Sequence, residues 1–182
     1  YVVAADDHAG HGRTAMTSGI WGDAGDDADR VVIEDERTLA GLVRERHRDL
    51  PYVVFGHSWG SMIARAMVLG GDDDLAGLVL CGVAAQMEGI ETRIDRAALA
   101  AEPDQAAAAD DAYVMDLFTG FLDRCGEGAG PTDWVALDAD VVRDHGVDPL
   151  NNFGAPLSNR FLRGFVDLYD QANGDAFYAA AR

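Results

Sequence analysis

Tyr52-Val53-Val54-Phe55-Gly56-His57-Ser58-Trp59-Gly60-Ser61-Met62-Ile63-Ala64-Arg65-Ala66-Met67 is the stretch on which the fold turns. Four apolar residues suited to a buried strand run into a Gly-x-Ser-x-Gly turn, and an amphipathic helical pattern starts directly beyond it. A serine hydroxyl is a poor nucleophile until a base takes its proton and the backbone exposes it, and a tight bend between strand and helix supplies that exposure. The pattern predicts strained backbone angles at Ser58, and an approach of strand and helix so close that a β-carbon at Gly56 or Gly60 would strike neighbouring backbone. The helix that begins after Ser58 also aims its free N–H groups and the positive end of its dipole at the place where an oxyanion would form. The chain has only Ser18, Ser58, Ser61 and Ser158 as serines. Ser61 falls inside the helix, where its hydroxyl is expected to bond its own backbone.

Outward from the turn, residues 1–5 read as a strand, followed by the polar, glycine-bearing loop Asp6-Asp7-His8-Ala9-Gly10-His11-Gly12-Arg13-Thr14, which continues past Gly19, Gly22 and Gly25. Val32, Leu39, Leu42 and Val43 recur near helical spacing within residues 31–48, and Pro51 closes that segment. The helix after the turn is expected to reach about residue 69, where Gly70, Gly71 and three aspartates end it, and residues 75–82 form the next strand. Alternating strands and helices with short connections argue for a parallel sheet covered on both faces, because parallel neighbours need helical crossovers. Beyond residue 82 no convincing strand follows. Residues 94–101, 103–124, 132–145 and 156–172 read as helices, separated by glycines and by Pro131 and Pro149. The expected organisation is an α/β core over residues 1–82 and a helical cap over residues 83–182.

Composition bounds the function. The 182 residues are 48% hydrophobic and 8% aromatic, which suits a globular chain with a real core. Net charge is −18, and all 14 basic residues are arginines. Such a surface repels nucleic acid, so nucleic acid is excluded as a partner. No apolar run approaches the roughly 20 residues that span a bilayer, and a cytoplasmic location is the expectation. The chain opens on Tyr1 inside a strand-like stretch with no signal peptide, which reads as part of a longer protein. Cys81 and Cys125 give no disulfide framework, and Cys81 is expected to be a small apolar filler in a buried strand. With no C-x-x-C, H-E-x-x-H or P-loop, neither a metal nor a cofactor is expected. A doubly wound nucleotide-binding domain is likewise unsupported, since no G-x-G-x-x-G follows a strand.

The loop DDHAGHGRT, the turn GHSWGS and the helical insertion after the next strand together resemble the α/β-hydrolase superfamily. More narrowly they are similar to its monoacylglycerol lipase and lysophospholipase branch, the S33 serine aminopeptidase-like hydrolases. That branch carries D-x-x-G-H-G-x-S, matched by Asp7, Gly10, His11 and Gly12, with Thr14 in the last position. The resemblance implies a partial α/β-hydrolase fold with Ser58 as nucleophile and the backbone N–H of Trp59 as one of two oxyanion donors. The second donor would come from an H-G loop expected before Tyr1. Gly56, His57, Gly60, Asp7, His8, Gly10, His11 and Gly12 would support the site, with His8 and His11 shaping its floor by hydrogen bonding and His57 turned away from Ser58.

In this fold the acid and base follow the nucleophile in the chain. His145 is the one histidine after Ser58, and Asp138 or Asp140 could orient it. These three share one expected helix, whereas a triad's acid and base sit on separate loops, so the acid and base are expected outside this chain. The implied substrate is a small lipid or ester. Met115, Leu117, Phe118, Phe121, Trp134, Phe153, Phe161, Phe165 and Tyr169 could line an acyl tunnel or serve cap packing, and the cap could touch a membrane surface peripherally. A proline iminopeptidase-like peptidase and a non-catalytic binder of apolar ligands are the alternatives.

Overall fold

The computed structural model describes residues 1–69, 71, 75–151 and 155–180. Phe153, together with the helix-ending Gly70 and the aspartates at 72–74, lies outside them. Within the described residues the order is α1 (Gly12–Ser18), α2 (Ala28–Arg46), β1 (Tyr52–His57), α3 (Trp59–Leu69), β2 (Leu75–Cys81), α4 (Glu88–Thr92), α5 (Arg96–Ala101), α6 (Asp111–Leu117), α7 (Ala139–Val147), α8 (Asn159–Asn173) and α9 (Asp175–Ala180).

The expected β-α-β crossover is present. β1 and β2 pair in parallel, with Phe55 beside Val79 and His57 beside Cys81, and α3 makes the connection. Among the described residues the sheet is covered on one face rather than two. Met62, Ile63, Ala66 and Met67 of α3 are buried, whereas Val53, Phe55 and Val79, which share the opposite face, stand about half exposed or more. Cys81 closes β2 and is exposed, so it fills no core. Residues 1–5 are not a strand. A strand exists through the ladder it shares with a neighbour, and among the described residues β1 and β2 pair only with each other.

The core crosses residue 82 without a break. Val32 and Ile33 of α2 and Met62 of α3 pack with Ile90, Leu99, Leu117, Leu162, Val166, Leu168 and Tyr169. Helix α8 is central to it. Its apolar residues recur at helical spacing, and Phe161, Leu162, Val166, Leu168 and Tyr169 are each at most 3% exposed. Full burial of one such side chain stabilises by about 1.5–3 kcal/mol. Ser158 caps the helix, its hydroxyl accepting from Phe161 N–H at 3.1 Å.

Aspartates shorten the other expected helices. In 103–124 only α6 is helical, because Asp104 accepts from the N–H groups of Ala106 and Ala107 in a turn and Asp110 caps a fresh start at Asp111 through Ala112 N–H. In 132–145 the helix waits until Ala139, where Asp138 caps it through Asp140 N–H at 2.8 Å. The expected helix at 94–101 is α5, which starts at Arg96 because Asp95 caps it, and α4 lies before the expected start. Helix α1 was hidden in a stretch that reads as loop.

Candidate active site

The turn after β1 has the expected strain. Ser58 has φ of +52°, a left-handed conformation that a residue with a β-carbon adopts only when its surroundings enforce it. Two hydrogen bonds do so: Ser58 N–H donates to the carbonyl of Cys81 at 3.0 Å, and Ser61 N–H donates to the carbonyl of Ser58 at 2.9 Å. Ser58 is exposed, and α3 starts at the next residue. Trp59 therefore stands in the first turn, where backbone N–H groups have no intrahelical acceptor.

A β-carbon on Gly56 would overlap the carbonyl oxygen of Gly60 and crowd Ala64, as expected. Gly60 is different, since a β-carbon there meets nothing within 4 Å. The close approach is one-sided: Gly60 contributes its backbone to the crowding at Gly56 and has open space on its own side. Ser61 also departs from expectation. Its buried hydroxyl accepts from Ala84 N–H at 3.0 Å and so fastens α3 to the loop after β2. His57 lies over the end of β2, where a β-carbon on Gly82 would come within 3.1 Å of its Nε2.

The loop before α1 folds around Asp7. Its carboxylate accepts from Arg13 N–H at 2.9 Å and its carbonyl accepts from Thr14 Oγ1 at 2.6 Å, which closes residues 7–14 into a unit. Gly12 has φ of +51° and sits against the Asp7 carboxylate where no β-carbon fits. Gly10 accepts from Gly22 N–H at 3.0 Å. His8 and His11 act mainly through their rings rather than through hydrogen bonds. His11 Nδ1 bonds the carbonyl of Ala9 at 3.0 Å, while His8 Nδ1 is buried without a hydrogen-bond partner. Both rings pack on the Trp59 indole, His8 edge-on at 5.0 Å between centroids and His11 tilted at 5.2 Å. Phe161 and Phe165 of α8 complete the enclosure at 5.5 and 6.1 Å.

These features coincide with a family. The model of the serine aminopeptidase S33 family matches residues 1–177. The chain belongs to the serine aminopeptidase S33 family of α/β-hydrolases. Among solved structures it is similar to a lipase in its open form, at 55% identity and a TM-score of 0.91, over 97% of this chain and 57% of that one. It is also similar to a highly thermostable carboxyl esterase from Bacillus coagulans solved in complex with glycerol, at 37% identity and a TM-score of 0.88, again over 97% and 57%. The chain thus spans a little over half the length of these relatives. No curated protein matches it. No helix among the described residues is long and apolar enough to cross a membrane.

In this S33 family chain, Asp138 caps α7, while Asp140 and His145 lie within that helix, so the three do share one element. Among the described residues no imidazole is hydrogen-bonded to Ser58 Oγ. Three groups that sequence reasoning did not join meet beside the loop: Asp6, His8 and Glu36 each hold a ligand atom within 4.8 Å of the others. His8 Nδ1 stands 3.8 Å from Asp6 and 3.6 Å from Glu36. Donor atoms around a tetrahedral divalent metal are about 3.4 Å apart, so these groups would have to draw inward to hold one. Burial pushes the Glu36 carboxyl up to about 7, helped by the Asp6 carboxylate to which it donates. Burial lowers the His8 imidazole, against the pull of Asp6.

Sequence reasoning also missed Arg65. It is 3% exposed on α3 and donates to the carbonyls of Ser61, Ala84 and Ala172 and to Asn173 Oδ1, at 2.6–3.0 Å. An arginine inside an apolar helical stretch was the available signal.

Proposed function

We propose that this protein is a carboxylic ester hydrolase that works through an acyl-enzyme on Ser58. In this reading Ser58 Oγ attacks the ester carbonyl and gives its proton to a general base, and the carbonyl oxygen becomes an oxyanion that accepts from Trp59 N–H. The alcohol departs as the tetrahedral intermediate collapses, and water then attacks the acyl-enzyme to release the acid. The base and the acid that orients it are assigned to the part of the relatives' length that this chain does not match. Residues 83–182 form the cap over the reacting centre, and the substrate is a monoacylglycerol, a lysophospholipid or a similar small ester. The observation that carries the reading is Ser58 itself, exposed at φ of +52° between a parallel strand and the first turn of a helix. The names of the two similar solved structures, a lipase and a carboxyl esterase, support the ester as substrate class.

Fluorophosphonate labelling of the full-length protein tests the nucleophile. The wild type should be modified at Ser58, and Ser58→Ala should not be. A wild type that binds lipid yet stays unlabelled would make it a non-catalytic binder. The family's name also keeps an aminopeptidase reading in view. A panel of p-nitrophenyl esters, monoacylglycerols, lysophospholipids and proline anilides separates the two, with turnover confined to the anilides overturning the ester assignment.

A further inference from the structure

We propose that the Trp59 side chain is a positioning residue: its indole, wedged between the His8–His11 loop and α8, fixes the direction of the N–H group that follows Ser58. The proposal rests on the reading of Ser58 as nucleophile and extends it to a coupling between α8 and the oxyanion donor. Four rings from two separate parts of the chain enclose the indole, and their centroids lie 5.0–6.1 Å from it. His11 and Phe161 also touch one another, at 5.3 Å, so the ring contacts continue past Trp59 from the loop to α8. An aromatic pair contributes about 0.5–1.5 kcal/mol beyond its buried area. The indole cannot turn without breaking several such contacts, and its Cα is held with it.

That matters because the peptide plane between Ser58 and Trp59 carries the N–H in question. Ser58 is held at a backbone angle that persists only when neighbours over-determine it. Hydrogen bonds to Cys81 and Ser61 fix the Ser58 side of the plane, and the indole fixes the other side. The indole Nε1 is buried without a hydrogen-bond partner, which marks the ring as retained for its shape and not for its polarity. On the α8 side the support is firm. Phe161 is 3% exposed, and Arg160 beside it is tied to Asp23 and Asp26. A shift of α8 would therefore reach the oxyanion donor through one ring.

The test uses the full-length protein, with p-nitrophenyl butyrate turnover and the rate of fluorophosphonate labelling as readouts. Losing an oxyanion donor outright costs about 10²–10³ in rate, and misaiming it costs less. Trp59→Leu and Phe161→Leu are each expected to lower kcat and the labelling rate about tenfold, with KM within about twofold of wild type. Because both act through one contact, the double variant should fall little further than either single. Leu162→Val, in the same helix and fully buried, is the control for stability alone. It should lower the melting temperature but leave kcat within about twofold, measured well below the transition. Additive losses, or a kcat for Phe161→Leu no lower than that of Leu162→Val, would overturn the wedge while leaving the nucleophile in place. A wild type that neither labels nor hydrolyses esters would remove both readings together.

Discussion

Arg160 grips both carboxylate oxygens of Asp23, Nε at 2.8 Å and Nη2 closer still, so the first turn of α8 is tied to the loop that follows α1. The same carboxylate accepts from Gly25 N–H at 3.0 Å and Ser158 Oγ at 3.1 Å. The hydrogen bond from Arg160 is the main reason its carboxyl is held below the usual range. Asp23→Asn keeps the shape but discards the charge, and charge-assisted forks of this kind are worth about 1.5–3 kcal/mol. Urea unfolding at pH 7 should show a loss of about 1–3 kcal/mol. The pH dependence has a definite sign. A carboxyl whose pKa is depressed by folding contributes stability that is present above its unfolded value of 3.8 and is lost as pH falls through the lower folded value. The wild type should therefore lose stability in that acid window more steeply than Asp23→Asn. Parallel acid profiles would show that the fork contributes nothing.

Glu36 has the opposite sign. Folding raises its carboxyl from 4.5 to about 7, so the folded state binds more protons than the unfolded state between those values. Stability consequently declines as pH rises through that window. Partial exposure tempers the size to about 1–2 kcal/mol. Glu36→Gln can still donate to Asp6 but cannot ionise. Its unfolding midpoint in urea should be flatter than the wild type's from pH 5 to pH 8 and higher at the alkaline end. A variant that tracks the wild type throughout would mean that the Asp6–Glu36 pair carries no such penalty.

Arg65 offers a third test. Among the described residues its guanidinium has no carboxylate hydrogen-bond partner, and burial lowers its pKa. Removing it strands the carbonyl of Ala172 in the interior, at a cost of about 1–3 kcal/mol if left unmet, and leaves the carbonyl of Ala84 only the longer bond from Asn173 Nδ2 at 3.3 Å. Arg65→Met should destabilise by about 2–4 kcal/mol even though methionine fills much of the same volume. Arg65→Lys keeps the charge but not the planar fork and should recover only part of the loss. If equilibrium unfolding places either variant within about 0.5 kcal/mol of wild type, the network does not anchor α8 to α3.

The turn at Ser58 was legible because its signal is local. A strand period, two glycines around a serine and a helical period follow one another within residues 52–67. The β1–α3–β2 unit followed from the same alternation. Less legible was everything set by distant partners. Residues 1–5 have strand composition, yet strands are made by neighbours, and composition cannot supply one. Gly60 looks like Gly56 in sequence, but only the structure shows which of the two is crowded. The C-terminal helices were overextended because Asp104, Asp110 and Asp138 read as polar helix surface while their side chains capture backbone N–H groups and restart the helix. Trp59 was read for its backbone alone, since nothing local to it announces Phe161 and Phe165 a hundred residues on.

Ser58 also sets function against stability in a measurable way. At φ of +52° a β-carbon is disfavoured, and a non-glycine residue there stores about 1–3 kcal/mol of strain. Ser58→Ala retains the β-carbon and hence the strain, while Ser58→Gly removes both. Glycine gives back part of that gain through the greater freedom of the unfolded chain, about 0.5–1 kcal/mol. The net expectation is that Ser58→Gly unfolds about 1 kcal/mol later than Ser58→Ala, with neither variant labelled by fluorophosphonate. Comparing the two variants with each other, not with wild type, cancels the loss of the hydroxyl. Equal stabilities would mean that the left-handed turn stores no strain. The sharp bend would then be a relaxed connection, and Ser58's exposure would owe nothing to enforcement by Cys81 and the first turn of α3.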